Sequence, residues 1–74
     1  MSISQLENII KMANQIASNN AYKKTDEQTA DFVVNHIQLF WAQSMKSQLL
    51  AYAKSDGSEL IPAVKIAAIN LSSV

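Results

Sequence analysis

Cysteine and arginine are absent from this 74-residue chain, and glycine and proline occur once each. Without cysteine, no disulfide or thiolate metal site can staple so short a fold. Without arginine, all six cations are lysines, and six carboxylates balance them to a net charge of zero. Nucleic-acid modules gather basic residues on one face, and bidentate reading of phosphate or guanine favours arginine. No nucleic-acid partner is expected. Charged residues are only 16% of the chain, against about 25% in average globular proteins. No apolar run approaches the ~20 residues of a membrane span. The opening Met1-Ser2-Ile3-Ser4-Gln5 has no basic stretch leading into an apolar one, so no signal peptide is read there. No membrane contact is expected, and the expected location is the cytoplasm.

What is present is apolar: 49% of residues are hydrophobic. The length fits one domain, and a chain this short buries only about 60% of its unfolded surface. A small domain with few charges and surplus apolar side chains points to good helix packing or to a partner.

The apolar residues recur at three- and four-residue steps throughout, with no strand period, internal repeat or low-complexity tract. Ser4 and Glu7 are spaced as a capping box that opens a first helix over about 4–19. Leu6, Ile9, Ile10, Ala13, Ile16 and Ala17 form its stripe, widened by Met12. Asn19-Asn20 is its stop, because asparagine tolerates the left-handed conformation found after helix ends. A polar connector carries Tyr22. Thr25 and Gln28 repeat the capping device, with Asp26 and Glu27 at the positive end of the helix dipole. From there Ala30, Val33, Val34, Ile37, Phe40 or Trp41, Met45, Gln48 or Leu49, and Tyr52 keep a helical repeat with no glycine or proline between them. Unbroken, this helix would be about 43 Å long. Two helices over about 26–41 and 43–54 are preferred, with a bend near Ala42-Gln43-Ser44 where the apolar pattern thins; one continuous helix is the alternative. Asp56-Gly57 terminates the segment, glycine supplying a positive φ. Pro62 falls in the first turn of a last helix over about 61–71. Its stripe is Leu60, Ile61, Val64, Ala67, Ala68 and Leu71, with Ile66 and Ile69 off it, and the Ser72-Ser73-Val74 end is expected to fray. The expected fold is all-α, a small three- to four-helix bundle in a single domain.

Rare residues concentrate in Asn35-His36-Ile37-Gln38-Leu39-Phe40-Trp41, which holds the only histidine and the only tryptophan. His36 has no second histidine, no cysteine and no His-Glu-x-x-His pattern beside it, so a metal site lacks ligands. Catalysis lacks a nucleophile or a second carboxylate. A structural or interface histidine is the preferred reading. Phe40 and Trp41 are about 100° apart on a helix and cannot share one stripe. Either both rings pack inside the small core, or one fills it while the other sits at its edge or anchors an interface. The indole N–H favours the edge for Trp41. Met45 reads as a core filler or a contact residue. Asn14-Gln15 places amides inside the first helix, where asparagine is a poor former; they are either exposed or a polar register device.

Three strings in order carry a family resemblance. Met12-Ala13-Asn14-Gln15-Ile16 lies near the N-terminus. His36-Ile37-Gln38-Leu39-Phe40-Trp41 follows, with Met45 four residues past the tryptophan. Leu60-Ile61-Pro62-Ala63-Val64 comes last. Together they resemble the delta subunit of the cytosolic, NAD-dependent formate dehydrogenases that contain molybdenum or tungsten, from about Leu6 to Leu71. The family continues from its tryptophan through a proline and a basic residue to that methionine. Here Ala42-Gln43-Ser44-Met45-Lys46 lacks both, which leaves the helix break open. Relatives are glycine-rich before the C-terminal proline, where this chain has Gly57 alone.

The resemblance implies a non-catalytic accessory subunit with no cofactor of its own. It would support assembly or stability of the complex by binding the catalytic (alpha) subunit. His36, Phe40, Trp41 and Met45 are then the candidate partner-binding residues, with Asn14 and Gln15 as the polar register device. Two rivals stay in view. One is a small helical domain without that link, burying its apolar surplus in a homodimer. The other is a metal protein or enzyme built on His36.

Overall fold

The computed structural model describes residues 4–72 and consists of four helices: α1 (Gln5–Asn19), α2 (Asp26–Phe40), α3 (Gln43–Lys54) and α4 (Pro62–Ser72). Helix makes up 77% of these residues, no strand occurs among them, and the fold is all-α. The readings made for residues 1–3 and 73–74 lie outside the described residues.

Helices α1 and α2 each start on a local side-chain cap. At α1 the Glu7 N–H donates to Ser4 Oγ at 3.1 Å. At α2 both halves of the box form: the Gln28 N–H donates to Thr25 Oγ1 at 3.2 Å, and the Thr25 N–H donates to Gln28 Oε1 at 3.0 Å. The stop of α1 works differently from the expectation. Asn20 has φ −122°, outside the left-handed region, and its Nδ2 instead donates to the Ile16 carbonyl at 2.7 Å. A side-chain bond thus satisfies a carbonyl that the helix end leaves open. The left-handed residue lies further on, at Lys23 with φ 57°. It is the third residue of a turn closed by the Lys24 N–H on the Ala21 carbonyl at 3.0 Å, the position that needs a positive φ in a type II turn.

The apolar stripes converge on one core. Ile9, Ile10, Ala13 and Ala17 enter from α1, and Ala30, Val33 and Ile37 from α2. Leu49 enters from α3, and Ala63, Val64, Ala67 and Leu71 from α4. Met12 does not widen the buried stripe of α1; it is 39% exposed. Helix α4 touches all three others and packs most extensively against α2. Its polar residues are only Lys65, Asn70 and Ser72, and a helix apolar around most of its surface belongs in an interior. Small Ala63 and Ala67 face that interior and permit close approach. The helix extends to Ser72, whose hydroxyl donates to the Ile69 carbonyl at 2.8 Å, so the expected fraying does not begin there.

The α2–α3 corner resolves the open question of the central segment. Trp41 (ψ 142°) and Ala42 (ψ 153°) are both extended, and the helix stops between Phe40 and Gln43. Ala42 offers α3 no side-chain cap, so local sequence does not force the break. With the break, the longest extent of the molecule is 36 Å, shorter than the roughly 43 Å of an unbroken helix. Turning back lets Ile37 and Leu49 reach the same core. Lys46 Nζ, from α3, lies 3.5 Å from the Gln38 carbonyl in the last turn of α2. That puts a cation where the helix dipole is negative. The Cα radius of gyration is 11.4 Å, which matches the roughly 11 Å of a compact chain of this length.

Two substitutions test this packing. Ile37→Ala removes a side chain with no solvent exposure and is expected to lower the unfolding free energy by about 2–5 kcal/mol. That is a large share of what a domain of this size has. Gly57 has φ 62°, and an added Cβ would meet the Ala53 carbonyl oxygen at 3.2 Å, so Gly57→Ala is expected to destabilise by about 1 kcal/mol or more. Urea denaturation followed by circular dichroism measures both.

Candidate interaction surface

Four of the six candidate residues gather around the end of α2, and two do not. His36 is half-buried and stacked in a row of rings along one side of α2. Its ring centroid is 6.3 Å from that of Phe32 and 4.9 Å from that of Phe40. The i, i+4 spacing creates this row, and both separations fall in the range of favourable aromatic pairs. Lys24 Nζ lies 5.5 Å from the centroid of Phe32, at the other end. Phe40 is 71% exposed and Leu39 67% exposed. The helix therefore ends in two large apolar side chains directed at solvent.

Trp41 takes the opposite role from Phe40. The extended backbone at the corner turns it against the core, where it is half-buried. No buried side-chain nitrogen or oxygen among the described residues lacks a hydrogen-bond partner, consistent with an indole at the edge and not in the centre. Trp41, His36 and the exposed Gln15 share a shallow groove of about 290 Å³ between α1 and α2, with Met12 on its rim. Met45 is half-buried and packs against the core from α3.

Asn14 points elsewhere and has a different job. Its Nδ2 donates to the Glu59 carbonyl at 2.8 Å, and its Oδ1 accepts from the Ile61 N–H at 3.1 Å. From across the fold, Tyr52 Oη accepts from the Glu59 N–H at 3.0 Å. The segment leading into α4 is thus held on both sides, by α1 and by α3. Both ends of the Asn14 amide are thus occupied within the chain. Gln15, one residue on, faces away from that segment.

Phe32 and Leu39 were not singled out from the sequence. The signal for Phe32 was available: it lies four residues before His36, in the same row that joins His36 to Phe40. Leu39 adjoins that row, and only its exposure shows that it belongs to the surface and not the core. Among the described residues no group of three His, Asp or Glu side chains could hold a metal ion. No described helix is long and apolar enough to cross a membrane.

Asn14→Leu, which keeps the volume and removes both bonds, is expected to cost about 1–3 kcal/mol, because the Ile61 N–H and Glu59 carbonyl lose their partner. For a domain of this length each 1 kcal/mol is about 4–8 °C in Tm, and thermal unfolding reads it directly. Tyr52→Phe removes the third bond and is expected to shift Tm less.

Compared with known proteins, the sequence matches the family described as NADH-dependent formate dehydrogenase delta subunit FdsD, over residues 8–68. No curated protein and no solved structure matches the chain.

Proposed function

Because this chain belongs to the family of NADH-dependent formate dehydrogenase delta subunits, we propose that it is a non-catalytic accessory subunit. It supports assembly or stability of the complex by docking on the catalytic (alpha) subunit. It works in the cytoplasm and carries no cofactor of its own. The docking face is the outer side of α2: Phe40 and Leu39 as apolar anchors, with His36, Trp41 and Gln15 beside them.

The observation that carries this reading is the exposure of Phe40 and Leu39 at the end of a helix that a capping box opens. Exposing both rings and aliphatic carbon to water gives no benefit to a domain that already lacks charge. A partner that covers them removes that surface from water, at about 25 cal/mol per Å² of apolar area. Large aromatic anchors set on a rigid element lose little conformational freedom on binding. The His36 ring lies tilted against Phe40, with centroids 4.9 Å apart.

Phe40→Ala is the test. It is expected to change the stability of the isolated chain by no more than about 0.5 kcal/mol, as surface substitutions do. It is expected to weaken association with the catalytic subunit about tenfold, near 1.4 kcal/mol. Co-purification yield and formate oxidation by the assembled complex report the second effect. Trp41→Ala should lower both stability and yield. Intact yield in both variants would assign the rings to the fold alone. Sedimentation of the isolated chain at two concentrations separates this reading from self-association through the same face, since only self-association makes mass rise with concentration.

A further inference from the structure

The seam between α3 and α4 carries a trough that the aromatic face of α2 does not enter. Its wider part has a volume of about 460 Å³, with apolar walls from Leu50 and Ala53 of α3 and Ala68 and Ile69 of α4. A second depression of about 340 Å³ continues it to the α2–α3 corner and shares Leu50, Lys54 and Ser72 with it. The path follows α3, whose 12 residues span about 18 Å at 1.5 Å per residue. Together the two depressions run along α3, a length that can seat a polypeptide segment.

Charge says which segment. Lys46, Lys54 and Lys65 line this path, which is half of the six lysines in a chain of net charge zero. The one carboxylate in the lining is Asp56, and its Oδ2 already accepts from Ser58 Oγ at 2.7 Å and from Tyr52 Oη at 3.4 Å. Asp26, Glu27 and Asp31 lie on α2, outside the lining. Lysine stems extend an apolar wall while their ammonium heads stay at its rim, so the wider part of the trough has apolar walls, and three ammonium groups against one carboxylate leave the whole path net positive. A second copy of the chain in a symmetric contact would set this basic rim against itself, and like charges across an interface are strongly disfavoured.

We propose that the α3–α4 trough docks an acidic amphipathic segment of another subunit of the formate dehydrogenase complex. Its aliphatic side chains lie on Leu50, Ala53, Ala68 and Ile69, and its carboxylates on Lys54 and Lys65. This rests on membership of the complex and not on the aromatic face of α2, so the chain has two separate contacts.

The test uses the assembled complex. Lys54→Glu with Lys65→Glu is expected to weaken retention of this chain at least tenfold at low salt, and the difference from the unaltered chain should shrink as salt rises. Lys54→Gln with Lys65→Gln should give a smaller loss in the same direction, and it keeps the test valid if the charge reversal disturbs folding. Lys11→Glu with Lys23→Glu, an equal charge change elsewhere, should leave retention unchanged. A photo-crosslinking residue placed at position 72 should capture a segment in which Asp or Glu alternates with aliphatic residues. Unchanged retention in both trough variants overturns the proposal. So does a crosslink only to a second copy of this chain, or to a segment without carboxylates. Loss of retention in Phe40→Ala alone overturns the trough and leaves the aromatic face standing. Loss in the trough variants alone does the reverse.

Discussion

The seating of α4 is the constraint on which the rest of this fold depends. Eleven residues are too few to hold a helix in water, and this one has three polar residues among them. It exists because α1, α2 and α3 surround it. Burial supplies the driving force but not the register, since aliphatic contacts are non-directional. The register comes from two side chains that grip the Glu59 peptide on either side: the Asn14 amide and the Tyr52 hydroxyl. The amide also holds the Ile61 N–H, one residue before Pro62 opens the helix. A polar residue in the middle of α1, costly there by propensity, thus sets where α4 begins.

With α4 seated inside, α2 has one face committed and one left over. Ala30, Val33 and Ile37 pack inward, while Phe32, His36 and Phe40 stack along the outside. A helix that is apolar on two sides is either sandwiched or exposes one side to a partner. The same division appears at α4, where Ala63 and Val64 are enclosed and Ile69 is 66% exposed. For a member of a delta-subunit family, such leftover faces are the physical content of being a subunit. The chain closes a core of its own and still presents apolar surface that a larger assembly can cover.

Much of this was legible in the residues. The caps at Ser4 and Thr25, the stripe of α1, the placement of Pro62 and the all-α class follow from local rules, because hydrogen bonds three residues apart and a 3.6-residue period are properties of the chain itself. The family was legible too, from three short strings at their spacing. Other features were not. Met12 reads as part of a stripe and lies mostly at its margin. Asn19-Asn20 reads as a left-handed stop, but the Asn20 side chain does the capping and the left-handed residue is Lys23.

The sequence by itself determined that there would be helices, where most of them start, and which stripe each would bury, since periodicity and capping act within a dozen residues. The thinning apolar pattern favoured a break near Ala42-Gln43-Ser44, but only the tertiary structure decided it against one continuous helix and placed it between Phe40 and Gln43. No glycine, proline or capping side chain marks that point. The same break sends Trp41 inward and leaves Phe40 outside. Which of two adjacent aromatic rings belongs to the core is a question of where the backbone turns, and packing between helices distant in sequence, not a local rule, decides that.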